Sequence, residues 1–388
     1  MVQKLLFGLF MLAATLMATE RPLSKIALGS CSNQWIPMPA FQEIRKHKPE
    51  LMVMMGDNVY SDYFPSEGEL KHKEEWENNP FRNEEGATKP AEPDDVEQMR
   101  TFFQKMYGML AADKGFAMLR KETPMIATWD DHDYGRNDVG ADFRYKEQSR
   151  KIFLEFWGEP KGSERWSQKG GIYTSYMYGP KDKRVQVIVL DTRFNKTPQY
   201  KIERKAFEER YKKFNQGDYL VNPGYDAKLL GEEQWAWLKE ELQKEADVRI
   251  IVSSIQILAE FNGWEAWSIF PKERERLYEL LEKTDAQGVI ITSGDVHYGE
   301  IVKMDRCNNY PLWELTTSGI NQGWPKIPAN NLRVGEYYDK ANFATITIDW
   351  ERQDPMITMS IFTEENKAVL TQSIALSSIN KKYKKAAQ

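Results

Sequence analysis

The chain has 388 residues, of which 41% are hydrophobic and 29% are charged, and its formal net charge is −5. This balance is typical of a globular protein with a large buried core, and it excludes a chain that is disordered throughout. The acidic net charge gives no basic excess to neutralise a nucleic-acid backbone, so we expect no nucleic-acid binding.

The first residues predict an export signal. Lys4 precedes an apolar run from Leu5 to Met17, and the polar residues Glu20 to Pro22 follow it. Because this run is too short to cross a bilayer comfortably, we predict a signal peptide over residues 1–19. The chain has no arginine pair near its start, which favours the general secretory route and a periplasmic or secreted protein without a stable membrane span. An uncleaved membrane anchor is the alternative.

Short apolar runs recur along the chain, and each ends abruptly in small or polar residues. These runs cover residues 26–28, 51–55, 124–128, 185–190, 248–252 and 289–292. Each is continuously apolar, as expected of a strand that is buried on both faces of a parallel sheet. Amphipathic segments between the runs predict helices over residues 41–44, 94–110, 232–242 and 272–281. Alternating strands and helices indicate a layered α/β core.

The pattern changes after residue 310. Four consecutive strands are predicted there, over residues 312–315, 343–349, 357–362 and 368–374. They favour a mixed sheet or a sandwich of two sheets over a purely doubly wound fold. We expect one domain over residues 20–380, with polar insertions at about 66–93 and 200–226, and a solvated basic tail at 381–388.

Polar side chains follow each of the first six predicted strands. The clusters are Gly29–Asn33, Gly56–Tyr60, Trp129–Asp133, Asp191–Arg193, Ser253–Gln256 and Ser293–His297. Ligands bind at the carboxyl ends of strands in open α/β sheets, so these clusters are predicted to face one crevice. His132 and His297 lie in the clusters beside aspartates, and imidazole with carboxylate is a common ligand set for metal ions. Taken singly, each cluster could be a turn or a helix cap, but together they favour a shared metal site.

The chain contains two cysteines, Cys31 and Cys307. In an exported protein two cysteines usually indicate one disulfide. The segment Leu28–Cys31 also has the form of a lipid-attachment box, although Arg21 and Lys25 separate it from the hydrophobic run. A third possibility is that Cys31 is a metal ligand, since it lies in the first polar cluster.

Taken in order, these motifs resemble those of the alkaline phosphatase D (PhoD-like) metallophosphatase family. The resemblance extends from about residue 26 to beyond residue 320, and it rests on Gly29–Cys31, Gly56–Tyr60, Thr128–Asp133, Leu190–Arg193 and Ser293–His297. It implies a four-layer αββα sandwich of two mixed β-sheets flanked by helices. It also implies hydrolysis of small phosphate esters or diesters, with iron and calcium as cofactors and other divalent metals possible.

The resemblance also implies which residues bind the metals. A ferric ion would be held by a thiolate, a carboxylate, a phenolate and an imidazole, from Cys31, Asp57, Tyr60 and His297. Asp57 would bridge to a calcium ion that is completed by Asp131 and Asp295. In this arrangement Cys31 is a ligand and not a disulfide partner.

The implied catalytic roles fall on three further residues. His132 would protonate the leaving alkoxide, while Arg193 and Asn58 would bind the substrate phosphate, and a metal-bound hydroxide would be the nucleophile. Gln256 stands where other metallophosphatases have a histidine, so we expect only a supporting role for it. Asp133 stands where the family often has a glutamate.

Several functions are compatible with these motifs. The leading hypothesis is an alkaline phosphatase or phosphodiesterase, and the alternative within enzymes is a dedicated phosphodiesterase acting on lipid headgroups, cell-envelope polymers or nucleotides. A non-catalytic metal- or phosphate-binding protein is the alternative of another class, and a binding module built on the acidic 66–93 stretch is a third. Aromatic residues are candidates for the walls of the pocket, or for core packing: Trp76, Tyr200, Trp264, Trp267 and Trp324. We predict no particular oligomeric state.

Overall fold

The structure, a computed structural model, describes residues 21–62, 95–224, 226–305 and 310–386. The predicted signal peptide, the predicted insertion at 66–93 with Trp76, and Cys307 lie outside the described residues. Within those ranges, no helix combines the length and the apolar character that crossing a bilayer demands.

The strands of the described residues form two six-stranded sheets. They are β1 (Lys25–Gly29), β2 (Leu51–Met55), β3 (Met125–Thr128), β4 (Thr174–Tyr178), β5 (Val185–Val189), β6 (Val248–Val252), β7 (Val289–Ser293), β8 (Glu300–Met304), β9 (Leu312–Thr316), β10 (Asn342–Asp349), β11 (Met356–Thr363) and β12 (Ala368–Ala375). The strand order is β12-β11-β10-β1-β2-β3 in the first sheet and β4-β5-β6-β7-β9-β8 in the second.

Both sheets are mixed. Strands β1, β2 and β3 are parallel, and β10 pairs antiparallel with β1 and continues into the antiparallel β11 and β12. In the second sheet β5, β6, β7 and β9 are parallel, while β4 and β8 pair antiparallel at the two edges. This confirms the prediction of two mixed sheets.

Helices cover the outer faces of the sheets. The described helices are α1 (Ala40–Lys46), α2 (Val96–Ala112), α3 (Lys114–Glu122), α4 (Asp131–Tyr134), α5 (Lys146–Trp157), α6 (Arg204–Phe214), α7 (Glu232–Leu242), α8 (Pro271–Lys283) and α9 (Lys381–Ala386). Asp95 caps the start of α2, because its side chain accepts a hydrogen bond from the backbone nitrogen of Glu97 at 2.7 Å.

The alternation of side chains along the strands creates the layers. In β2, Leu51, Val53 and Met55 pack in one core with residues of the second sheet and of α7 and α8. Met52 and Met54 point the other way, into a core shared with α1, α2, α3 and α5. The four layers are therefore helices, sheet, sheet and helices, and the predicted αββα sandwich is confirmed.

The sequence patterns missed β4 and β8 and five of the helices described in the structure. Both strands lie at sheet edges, and β4 is only partly buried along its length, so neither forms a continuous apolar run. The stretch predicted as an insertion at 200–226 contains α6, in which no residue is buried. The stretch predicted as a basic tail contains α9.

Candidate metal centre and active site

The carboxyl ends of six strands, three from each sheet, meet in one crevice. Within the first sheet, the backbone nitrogen of Cys31 donates to the carbonyl of Gly56 at 3.2 Å, which joins the ends of β1 and β2. Between the sheets, the hydroxyl of Ser254 donates to Oδ1 of Asp130 at 2.7 Å, and the hydroxyl of Thr128 donates to the carbonyl of Leu190 at 2.9 Å. The polar clusters that follow these strands therefore lie side by side.

Several residues of this crevice have a left-handed backbone, which side chains other than glycine rarely adopt. The φ angles are 57°, 49°, 70° and 56° at Cys31, Asp57, Asp295 and His297. Such a conformation costs about 1–3 kcal/mol per residue and persists where surrounding contacts hold it, commonly at functional sites. Gly56 has a φ of 105°, and a Cβ there would lie 2.6 Å from the Cβ of Asp130. Glycine thus allows the ends of β2 and β3 to approach.

One group of donor atoms, here called the thiol group, combines Cys31, Asp57, Tyr60 and His297. Oδ2 of Asp57 lies 3.5 Å from Sγ of Cys31 and 3.3 Å from the hydroxyl of Tyr60. That hydroxyl lies 3.0 Å from Nε2 of His297. Burial would raise the pKa of the Cys31 thiol, but His297 and hydrogen bonds from two serines lower it to about 6. Thiolate with imidazole and phenolate fits a transition metal such as iron.

A second group, the carboxylate group, comprises Asp57, Asp130, Asp131 and Asp295, with ligand atoms within 4.8 Å of one another. Burial raises the pKa of Asp57 and of Asp295 well above the usual range of an aspartate. The charges of neighbouring carboxylates raise both pKa values further. Oδ2 of Asp130 and Oδ1 of Asp131 are buried and have no hydrogen-bond partner among the described residues. Crowded, buried carboxylates are costly unless a cation neutralises them, so this group fits a hard cation such as calcium.

His132 lies at the edge of the carboxylate group. Its Nδ1 is hydrogen-bonded to Asp62, and its Nε2 lies 3.9 Å from Oδ2 of Asp131. The other oxygen of Asp62 accepts a hydrogen bond from the backbone of Asn137 at 2.5 Å, which fixes that carboxylate. Burial would lower the pKa of His132, but Asp131 and Asp62 raise it to about 10. The two carboxylates therefore favour the protonated form of the ring, which is the form that a general acid requires.

Arg193 and Asn58, the predicted phosphate ligands, lie beneath the crevice. Arg193 is fully buried, forms ion pairs with Asp130 and Glu265, and lies 3.7 Å from Asp131. The Asn58 amide donates to the carbonyl of Thr128 at 2.9 Å and to the carboxylate of Asp133. Both of these acceptor residues are buried. Among described residues, those that line the cleft do not include Arg193 or Asn58. Their contact with substrate stays a prediction, while their visible contacts hold carboxylates in place.

Gln256 makes supporting contacts away from the donor groups. Its amide donates to Oε1 of Glu300 at 2.8 Å and to the hydroxyl of Thr316 at 3.1 Å, all within the interior. These hydrogen bonds join the end of β6 to β8 and β9. They agree with the supporting role expected for Gln256.

Sequence reasoning missed four acidic residues of this site. Asp62 and Asp130 were within reach, since they lie in or directly beside the strand-end clusters. Asp138 and Glu265 follow no strand, and no sequence pattern marks them as site residues. Their carboxylates nevertheless lie within 4.8 Å of that of Asp131. Glu265 is ion-paired with Arg193 and, at 2.7 Å, with Lys196. The positive charge in this part of the site is therefore supplied by side chains.

A cleft of about 690 Å³ opens above both donor groups. Its floor includes Asp57, Tyr60, Asp131, His132, Asp295 and His297. Trp264 and Trp324, both predicted as wall candidates, line it, whereas Trp267 is fully buried in the core. Tyr200 is 62% exposed and is not among the described residues that line the cleft.

Known proteins are similar to this chain in sequence or in fold. Alkaline phosphatase D of Bacillus subtilis (strain 168) is 22% identical over 283 residues, which cover 66% of this chain and 43% of that protein. The chain thus matches less than half the length of this relative. A solved structure of PhoD has a TM-score of 0.59 and 16% identity, over 92% of this chain and 73% of that one.

A second solved structure extends the likeness in fold. GAP50, the anchor in the inner membrane complex of Plasmodium, has a TM-score of 0.50 and 12% identity, over 95% of this chain and 96% of that one. At such identities the structural likeness concerns the fold alone. The family model for PhoD-like phosphatases, however, matches residues 26–347, and the chain therefore belongs to the PhoD-like phosphatase family.

Proposed function

We propose that the chain is a metal-dependent phosphoric-ester hydrolase that acts on substrates bound over the strand-end crevice. The observation that carries this proposal is the position of Asp57, whose carboxylate belongs to three of the four possible ligand groups among the described residues. Asp57 is common to the thiol group and the carboxylate group. One side chain therefore joins the two donor sets, as a bridging ligand of a dinuclear centre does.

The two donor sets support different metals. Iron would be held by the thiol group, and calcium by Asp57, Asp131 and Asp295. Bound there, the ions would supply the positive charge that holds a phosphate ester and would activate a water as the nucleophile. The acidic net charge of −5 is no obstacle to an anionic substrate in that case.

The protein's own residues supply the remaining steps. His132, protonated and held by Asp62, would deliver a proton to the oxygen of the leaving alcohol. Asp62 acts through His132 and is therefore a positioning residue. Arg193 would keep Asp130 and Asp131 in place through its ion pairs, and it would reach substrate only if the metals drew those carboxylates away.

Two further elements of the proposal come from the sequence. Export through a signal peptide over residues 1–19 suits an enzyme that uses ferric iron and calcium. One domain over residues 20–380 suits a family match that spans residues 26–347. Both stay predictions.

The alternative of another class is a non-catalytic binding protein. GAP50, an anchor, and PhoD both share the fold, so the fold alone does not decide between the two functions. The intact pair of His132 and Asp62 beside the ligand groups favours catalysis instead, because a binding protein has no use for a proton donor at the metal site.

Hydrolysis of p-nitrophenyl phosphate and bis-p-nitrophenyl phosphate by the purified protein tests the proposal. We expect turnover that a chelator abolishes and that added iron and calcium restore, and the preferred ester then separates a monoesterase from a diesterase. A folded, metal-loaded protein that hydrolyses neither ester would contradict the proposal and support the binding protein.

A further inference from the structure

One side of the cleft is a continuous row of aromatic rings, here called the aromatic wall, formed by Phe207, Tyr211, Trp264 and Trp324. The ring centroids of Phe207 and Tyr211 lie 6.3 Å and 6.0 Å from that of Trp264. The ring centroid of Trp324 lies 6.2 Å from that of Trp264. Phe207, Trp264 and Trp324 line the same cleft as Asp57 and His132.

The wall is not part of the hydrophobic core. Helix α6 carries Phe207 and Tyr211 but contains no buried residue, so these rings pack on Trp264 and not on a sheet. Trp324 is 41% exposed. A row of partly exposed rings beside a charged cleft floor is typical of a ligand-binding site, since exposed apolar surface of this kind is rare without a partner.

Hydrogen bonds hold the wall in a fixed position relative to the metal ligands. The Trp264 indole donates to the carbonyl of Asn215 at 3.0 Å, and the Asn215 amide donates to the carbonyl of Ile327 at 3.3 Å. The backbone nitrogen of Trp324 donates to the carbonyl of His297 at 2.8 Å. A ring of the substrate that stacks on the wall would therefore be held at a fixed position relative to an ester bound at the thiol group.

The charges near the wall indicate what kind of group it accepts. The ammonium of Lys326 lies 4.5 Å from the ring centroid of Tyr211, and that of Lys201 lies 4.6 Å from the centroid of Tyr219. Lys326 thus occupies the cation–π position on Tyr211, a ring of the wall, whereas Lys201 is also ion-paired with Asp218 at 3.0 Å. A flat, uncharged ring can stack on the indoles without competing with Lys326 for a cation–π position.

The size of the cleft favours a substrate much larger than phosphate. Its volume of about 690 Å³ lies inside the range of about 300–1,000 Å³ that is usual for pockets enclosing whole organic ligands. We propose that the aromatic wall binds a planar aromatic group of the substrate's alcohol, so that the preferred esters carry a nucleobase or another aryl ring. This inference rests on the proposed hydrolase function and specifies its substrate class.

Matched pairs of esters test the wall, because both members of each pair release a primary alcohol of similar basicity. Nucleoside 5′-phosphate and ribose 5-phosphate share a primary alcohol and differ in the base, and benzyl phosphate and ethyl phosphate differ in an aryl ring. If diesters are the substrates, the methyl esters of the same compounds replace them. Because stacking of one base contributes about 1–3 kcal/mol, we expect kcat/KM to be about 5- to 100-fold higher for the ring-bearing member of one or both pairs, mainly through KM.

Three wall variants and one control complete the experiment. Trp324→Ala and Trp264→Ala are expected to reduce that preference to within about two-fold of unity, and Trp324→Phe to retain part of it. Phe214→Ala is the control. Phe214 lies on α6, the helix that carries two rings of the wall, and is 51% exposed, but it is not among the described residues that line the cleft. Trp324→Ala alters an exposed ring, so the test does not depend on the folding of the Trp264 variant.

The outcomes separate the inference from the proposed function. Equal rates within both ester pairs, or a preference that neither tryptophan variant changes, would overturn the inference while hydrolysis itself stands. A preference for choline phosphate over ethyl phosphate would also overturn it, because the wall would then bind cations. If the metal-loaded protein hydrolyses no ester, the proposed function and the inference both fail.

Discussion

The floor and the aromatic wall of the cleft are built in different ways. Floor residues such as Asp57 and Asp295 lie two positions after the ends of strands, where ladder hydrogen bonds fix the backbone, and their side chains are buried or partly buried. The wall comes from α6 and from two loops, and its rings are partly exposed. Strand ends hold donor atoms accurately enough for metal ligation, whereas loops tolerate changes in shape. We therefore expect the floor to determine turnover and the wall to determine which ester is chosen.

The largest expected effect follows from removing the shared floor ligand. Asp57→Asn should lower kcat/KM by about 10²- to 10³-fold or more for every ester, with or without a ring, because one carboxylate serves both donor groups. His297→Ala should likewise abolish turnover while leaving a folded protein. Initial rates on the matched esters measure the effect.

Asp182→Asn is the control for charge, since Asp182 is exposed and does not line the cleft among described residues. It should retain full activity. If Asp57→Asn lost activity only toward ring-bearing esters, the division between floor and wall would be wrong.

Glu265 lies where the floor and the wall meet. Its carboxylate is ion-paired with Arg193 and Lys196, both fully buried, and Trp264 directly precedes it. Glu265→Gln should lower the free energy of unfolding by about 3 kcal/mol, because it removes the ion-pair partner of the buried Lys196 and one of the carboxylates paired with Arg193. Urea denaturation of this variant and of the exposed control Glu233→Gln measures the difference. Equal stability of the two variants would show that the ion pairs do not anchor the wall.

Asp62 provides a finer test of the floor. Asp62→Asn should lower kcat by about 10- to 100-fold, because His132 loses the carboxylate that stabilises its protonated ring. The loss should be greater for alkyl esters, whose alkoxide needs the proton, than for p-nitrophenyl esters, whose phenolate leaves unaided. Equal losses on both kinds of ester would instead indicate that Asp62 has only a structural role.

The smallest effect is expected at the outer end of the wall. Trp324→Ala should change the free energy of unfolding by no more than about 0.5 kcal/mol, since the ring is already 41% exposed. Thermal unfolding with and without chelator should show the same metal-dependent stabilisation as in the unaltered protein. A reduced stabilisation would mean that the wall contributes to metal binding.

The same difference between strand ends and loops explains what the sequence could predict. Strands β1, β2, β3, β5, β6 and β7 are buried on both faces, so their apolar runs are visible, and the polar residues after them mark the crevice. Edge strands β4 and β8 face solvent or loops and lack that pattern. Helix α6 buries no side chain, and its polar composition hides the short aromatic stripe of Phe207, Tyr211 and Phe214, so it was predicted as a polar insertion.

The roles of individual side chains were harder to predict than their positions. Position after a strand located Arg193 in the crevice, but it did not indicate that the guanidinium turns inward to Asp130 and Glu265. Glu265 itself lies in a loop and approaches Asp131 only through the tertiary fold. Such contacts depend on long-range packing, which a local pattern does not encode.

Metal analysis of the purified protein tests the central claim most directly. We expect about one iron and at least one calcium per chain, and we expect Cys31→Ser to reduce the iron content while calcium is retained. That result would show that the thiol group and the carboxylate group bind different ions. Full phosphatase activity in a metal-free protein, or an iron content unchanged in Cys31→Ser, would contradict the account.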